Sequence, residues 1–115
     1  MRVAVDLDGT LDSSEAVRTL VKKLHARGHK VSVLTGTHLP EVNKEARKLK
    51  KAKLKAIGMK GHYSKLKVYT NPPGKAKAKY CEKKKVSLMI DNSLSNANLA
   101  PGSTTVLVPW RTVTP

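Results

Sequence analysis

Carboxylates are scarce in this chain and unevenly placed. Of its four aspartates, Asp6, Asp8 and Asp12 stand together in VAVDLDGTLD, residues 3–12, while Asp91 closes the apolar run VSLMID, residues 86–91. Side chains at i and i+2 leave an extended strand on the same side, so Asp6 and Asp8 can face one ligand. Carboxylates held together repel one another and need a counter-charge, either a metal ion, a shared proton or a lysine. Oxygen-only ligands suit a magnesium-like ion, with water and a substrate phosphate completing the shell. A carboxylate beside such an ion can also be a nucleophile, because aspartyl-phosphate formation is an established covalent route. The plainer reading makes these acids turn and cap residues. It holds for Asp12, which follows an Asp-Gly turn signal and precedes a helix. It is weak for Asp6, since an apolar strand that ends in an unpaired acid has little structural motive.

Hydrophobic periodicity supplies the elements that must position these groups. RVAVD, residues 2–6, is a β-branched run suited to a strand covered on both faces. Val17, Leu20, Val21 and Leu24 then recur at helical spacing, with Ser13 or Ser14 as cap and Gly28 as stop. Residues 29–34 form a second strand. Pro40 at a first turn is expected to open a long helix with an apolar stripe of Val42, Ala46, Leu49, the stem of Lys53, and Ala56 or Ile57, ending at Gly58. Residues 65–69 read as a third strand, NPPG as a turn, and residues 75–84 as a helix. Residues 86–91 read as a central strand, SLSNANL as a short helix, and residues 103–108 as a fifth strand. Strand and helix alternate, with connections long enough for right-handed crossovers, which predicts a parallel, doubly wound α/β sheet in one domain, residues 1–115. In such a sheet ligands collect beyond the carboxyl ends of the strands, where the strand order reverses. Asp6, Thr35 and Asp91 are all expected at that edge.

Composition narrows the function classes. The net charge is +15, and 16 of the 23 lysines and arginines fall between Lys44 and Lys85, opposed there only by Glu45 and Glu82. Such a field attracts polyanions through phosphate contacts and counterion release, nucleic acid first among them. Its bland alternative is a solvated surface that aids solubility. The single cysteine, Cys81, forms no internal disulfide and fits a reducing compartment. No apolar run approaches the roughly 20 residues that span a bilayer, and the first residues have no signal-peptide core, so a soluble cytoplasmic protein is expected. His25, His29, His38 and His62 lack paired zinc spacing; of these, His38, just after LTGT, is placed to touch substrate.

DLDGT, residues 6–10, LTGT, residues 34–37, and KAKYCEKKKVSLMIDNS, residues 77–93, occur in this order. Together they resemble the signature motifs of the haloacid dehalogenase-like (HAD) superfamily of phosphatases. The resemblance spans essentially the whole chain. It implies a three-layer α/β sandwich around a five-stranded parallel Rossmann-like sheet, and a magnesium-dependent phosphatase. By that resemblance Asp6 attacks phosphorus and becomes aspartyl-phosphate. Asp8 protonates the leaving oxygen and then activates water. Thr35 and the backbone at Gly36 hold the phosphoryl group, and Gly36, Thr37 and Lys75 are expected on the substrate side. A lysine, Lys77 ahead of its competitors Lys75 and Lys79, offsets the developing charge. Metal binding falls to Asp6, Asp8 through its carbonyl, and Asp91. Asn92 departs from the pattern, since the fourth motif often carries a second acid there; an amide orients a metal-bound water but brings no charge.

Members of the superfamily commonly carry a cap domain over the site. Here Asp8 is followed at once by a helix, and residues 36–77 hold only one helix and one strand, so no cap is expected. An open site suits a large substrate, or an oligomer whose neighbour acts as lid; a monomer or a small homo-oligomer is expected. Openness and positive charge point to a phosphorylated nucleic-acid terminus as substrate, resembling the phosphatase half of polynucleotide kinase-phosphatases. A nucleotidase acting on mononucleotides is the alternative among enzymes. A basic nucleic-acid-binding module with little turnover is the alternative outside them. A receiver-like phosphoacceptor fits poorly, because KLKVYTN, where that fold places its acid, has none.

Overall fold

The computed structural model describes residues 1–109. The expected surface course of the tail and the two readings of Trp110, as a base-stacking residue or as a cover for the sheet edge, fall on residues 110–115, outside the described residues. Five parallel strands, β1 (Arg2–Asp6), β2 (Lys30–Thr37), β3 (Lys65–Thr70), β4 (Leu88–Ile90) and β5 (Thr105–Leu107), form one sheet in the order β3-β2-β1-β4-β5. The helices are α1 (Glu15–Ala26), α2 (Lys44–Ala56), α3 (Gly74–Lys84) and α4 (Leu94–Leu99). No helix among the described residues is long and apolar enough to cross a membrane.

Alternation along the central strands divides the core in two. Val3 and Val5 of β1, with Val31 and Val33 of β2, pack under Val17 and Val21 of α1 and Ala46 and Leu54 of α2. Ala4, Leu34 and Met89 face the other way, against Cys81 of α3 and Ala100 just after α4. One helical layer therefore lies on each face of the sheet, and the fold is the expected three-layer α/β sandwich. No cap interrupts it: α2 and β3 alone separate β2 from α3. Chain order runs outward from β1 to β3 on one side and continues through β4 and β5 on the other, so the order reverses between β1 and β4. That reversal opens a crevice at their carboxyl ends.

Several local expectations need correcting. β2 continues to Thr37 because Thr35, Gly36 and Thr37 pair with Val68, Tyr69 and Thr70 of β3. Asp12 caps no helix: Ser14 does, accepting from the Val17 amide at 3.2 Å, while Asp12 closes the preceding turn by accepting from the Gly9 amide at 2.7 Å. Pro40 does not open α2. Asn43 caps it, accepting from the Ala46 amide at 3.1 Å. The inward face of α2 carries Ala46 and Leu54, with Ile57 packed just past its end, and the expected stripe residues Val42 and Leu49 are exposed, at 43% and 57%. Lys50 and Lys53 occupy the remaining inward positions.

Candidate active site

Three charged groups meet at the crevice. Asp6 is the last residue of β1, Asp91 follows β4, and Lys77 lies in the first turn of α3; Lys77 is 1% exposed and Asp91 fully buried. The Lys77 Nζ donates to Asp6 Oδ1 at 2.8 Å and to Asp91 Oδ2 at 3.0 Å. Of the counter-charges open to clustered acids, the lysine is thus in place. Each carboxylate is held from its other side as well. Thr10 Oγ1 donates to Asp6 Oδ2 at 3.1 Å and accepts from the Asn92 amide at 3.2 Å. Asp91 accepts from the Ser93 amide at 2.9 Å and from Asn96 Nδ2 at 3.1 Å. Burial, reinforced by the nearby Asp91 charge, pushes the Asp6 carboxyl up to about 6, although Lys77 and Thr10 pull the other way.

Asp8 sits in a different environment. It projects from the Leu7–Leu11 turn, where its own backbone is extended and Gly9 adopts φ 79°, a left-handed conformation that favours glycine. Its half-exposed carboxylate accepts from Lys50 Nζ at 2.7 Å, Lys53 Nζ at 2.5 Å and Thr35 Oγ1 at 3.0 Å. Partial burial opposes its ionisation, but the hydrogen bonds from the two lysines and Thr35 outweigh that effect and bring the carboxyl down to about 2. Lys53 also pairs with Asp12 at 2.8 Å, and these two acids raise its ammonium above the ordinary value. Asp6 and Asp8 therefore line one cavity of about 460 Å³ but ionise oppositely, one resisting its charge and the other held in it.

Of the expected site residues, Asp6, Asp8, Gly36, Lys77 and Asp91 line this cavity, together with Asn92 and His38. Gly36 must be small, because a Cβ there would collide with the Asn71 side-chain amide. Thr35 is buried beneath the cavity and reaches it through Asp8. Thr37 does not face it: its hydroxyl accepts from the Leu39 amide at 3.2 Å and closes the turn after β2. Lys75 and Lys79 are exposed and outside the cavity, because residues two positions either side of Lys77 lie on other faces of α3. Thr10, Asn96 and Lys50 escaped sequence analysis as participants, and Lys53 was expected only as an apolar stem in the stripe of α2. Lys50 and Lys53 lie on the face of α2 turned to the core and the crevice, and only the packing of that helix brings their ammonium groups to Asp8.

The sequence pattern of the haloacid dehalogenase-like hydrolases matches residues 3–97. The chain belongs to that family. No curated protein matches this HAD-like hydrolase in sequence. Among solved structures, a universal stress protein in complex with cAMP is similar with a TM-score of 0.60 at 18% identity, over 94% of each chain. The core domain of a Streptococcus pneumoniae protein described as a phosphoglycolate phosphatase gives 0.57 at 15% identity, covering 92% of this chain and 77% of that one. The D,D-heptose 1,7-bisphosphate phosphatase of Burkholderia thailandensis gives 0.53 at 14%, covering 92% and 90%. At such identities the likeness is one of fold.

The donor set of this HAD-like hydrolase also bears on the expected magnesium. Among the described residues no three His, Cys, Asp or Glu side chains are grouped to hold a metal. The Asp8 side chain is turned to α2, where Lys50 and Lys53 hold it. Asp6 and Asp91 nevertheless bring two hard oxygens onto one cation, the Lys77 ammonium. Two carboxylates with backbone carbonyl and water suit a magnesium-type ion, which keeps several waters and takes few protein ligands.

Proposed function

We propose that this protein is a magnesium-dependent phosphomonoester hydrolase that works through an aspartyl-phosphate on Asp6, in a cytoplasmic setting and as a monomer or small homo-oligomer. Its proposed substrate is the terminal phosphate of a nucleic acid, or a nucleotide. The observation that carries the reading is the buried Asp6–Lys77–Asp91 cluster where the strand order reverses, facing the same cavity as a second carboxylate, Asp8.

In this reading Asp6 attacks phosphorus as the bond to the leaving oxygen breaks, and Asp8 gives that oxygen its proton. Asp8 then takes a proton from the attacking water, the bond from Asp6 to phosphorus breaks, and inorganic phosphate leaves. Lys77 offsets charge on Asp6 and the phosphoryl oxygens, which the Gly36 backbone and Thr35 help to hold. Asp6, Asp91 and the Asp8 carbonyl would hold the magnesium ion, which when bound supplies charge neutralisation at the transferring phosphoryl group. Lys50 and Lys53 hold Asp8 ionised at rest. A substrate phosphate offers these lysines a second anion, and their move onto it frees Asp8 to take up a proton from solvent water before it protonates the leaving oxygen.

The substrate class is supported by the uncapped cavity and the net charge of +15. The test is magnesium-dependent phosphate release from p-nitrophenyl phosphate, with Asp6→Asn as the comparison. Wild type should turn over and the variant should not; equal inertness defeats the enzyme reading and leaves a basic binding module. Oligonucleotides phosphorylated at the 3′ or 5′ end should then be preferred over mononucleotides, with a preference that weakens steeply as salt rises. Preference for mononucleotides without a salt slope would remove the nucleic-acid terminus as substrate.

A further inference from the structure

The opposite end of the strands is chemically different from the catalytic crevice. Three adjoining surface depressions there share walls. One is floored by Arg2 and Lys30 and flanked by Lys83, Lys84 and Lys85 at the end of α3. The next lies between the same strand starts and Lys65 of β3. The third turns around the start of β3, where Lys67 meets Arg47 and Lys51 of α2. Nine lysines and arginines line the three depressions, with no carboxylate among the lining residues. Among the described residues none of the nine is in an ion pair.

Ordinary structural roles account for only part of this set. Lys83 and Lys84 complement the negative end of α3. Lys65 and Lys67 deter pairing along β3, an edge strand. Arg2 and Lys30 begin the interior strands β1 and β2, which have neither a free edge nor a helix end to protect. The cations are close enough to oppose one another: Lys65 foremost, then slight desolvation and Lys83, Arg2 and Lys67, push the Lys84 ammonium below its ordinary value. A row of phosphates would relieve that repulsion.

We propose that this basic belt is a nucleic-acid-binding surface, distinct from the catalytic crevice, that holds the sugar-phosphate backbone of a polynucleotide strand. It passes from the α3 layer across the strand starts to the α2 layer, a track that a flexible chain of phosphates follows. Membrane docking fits less well, because Met1 is the one exposed large apolar side chain among the described residues that lines it. The choice of partner rests on the nucleic-acid reading of the substrate, and the surface itself does not depend on turnover at Asp6.

The experiment is fluorescence anisotropy with a labelled DNA strand of roughly 20 nucleotides carrying hydroxyls at both ends, a length that exceeds common single-strand site sizes. Lys30→Glu, Lys65→Glu and Lys83→Glu combined should weaken binding at least about tenfold, whereas the same charge change at Lys44, Lys48 and Lys55 on α2 costs less than about threefold. Lys→Gln at the three belt positions, a milder change, should weaken binding in the same direction, and circular dichroism checks that each variant is folded. Hydrolysis of p-nitrophenyl phosphate should be unchanged by the belt variants and unaffected by the hydroxyl-ended strand. Equal losses in the belt and α2 variants would overturn the proposal, since charge alone would then explain binding. Competition between the strand and p-nitrophenyl phosphate would overturn it too, by placing the strand in the crevice. So would binding to phosphatidylserine vesicles without binding to DNA. If no variant hydrolyses p-nitrophenyl phosphate, the catalytic reading fails separately, and anisotropy alone decides the belt.

Discussion

Replacing Lys77 by methionine would remove the cation between Asp6 and Asp91 while nearly preserving its volume. The two carboxylate oxygens lie 2.8 and 3.0 Å from the same nitrogen. They therefore stand at most about 6 Å apart, where two charges at an effective dielectric of ~20 repel by about 3 kcal/mol. Removing one partner of a buried ion pair typically costs about 3–5 kcal/mol, and the expected loss for Lys77→Met falls in that range. Against a total stability of about 5–15 kcal/mol for an ordinary domain, most of that range leaves the variant folded at room temperature. Urea denaturation at pH 8 in the presence of a chelator measures the loss. Adding magnesium should then stabilise Lys77→Met more than wild type, because a cation held by Asp6 and Asp91 would offset the repulsion that Lys77 no longer relieves. Lowering the pH to 5 should also restore part of the loss, since one carboxyl of the pair then takes up a proton. A loss under about 1 kcal/mol, or equal gains from magnesium in both proteins, would refute the coupling of these three residues.

Other perturbations test neighbouring parts of the structure. The Asp6 carboxyl is raised from 3.8 to about 6 in the folded, metal-free protein, so the stability carried by its proton is fully present below 3.8 and is lost as pH rises through 6. That shift is worth on the order of 3 kcal/mol, and Asp6→Asn should flatten the pH dependence of unfolding in that window. Lys50→Ala with Lys53→Ala removes the hydrogen bonds that hold Asp8 down, so carbon-13 NMR should show its carboxyl titrating at higher pH than in wild type. The same double variant should raise KM for p-nitrophenyl phosphate at least about tenfold if these lysines meet the substrate phosphate, as charge-assisted hydrogen bonds of about 1.5–3 kcal/mol would. Leu54→Ala should cost about 2–5 kcal/mol by urea denaturation, and exposed Leu49→Ala about 0.5 or less; similar costs would mean that α2 is rotated from the orientation described.

The strands, and the placement of acids at their carboxyl ends, were legible because the information is local. β-branched runs bounded by turn residues define β1 and β2, and the chain position of Asp6 and Asp91 relative to those runs determines the edge at which they emerge. DLDGT is likewise a local pattern. It places Asp8 two residues after Asp6 without any knowledge of the rest of the fold. The core of α2 was misread for a physical reason. In a helix so rich in lysine, Val42 and Leu49 extend an apolar stripe through Ala46 as well as Leu54 does, and packing against the sheet decides which of them is buried. Asn43, by capping the Ala46 amide, leaves Val42 outside the helix altogether.

By itself, then, the sequence determined an α/β alternation, a basic surface, and a carboxylate-bearing edge that suits phosphate chemistry. Tertiary structure decided which charges meet. Lys75, Lys77 and Lys79 are equivalent in composition, but only Lys77 lies on the face of α3 that packs into the crevice, 71 residues along the chain from Asp6. Lys50 and Lys53 reach Asp8 across separations of 42 and 45 residues, and so give two neighbouring aspartates opposite ionisation behaviour. The belt at the far end of the sheet has the same origin, because it gathers lysines from strand starts and helix ends that only the parallel winding brings together. Charge interactions depend on distance in space. Sequence spacing fixes that distance within one strand or one helix turn, and packing fixes it everywhere else.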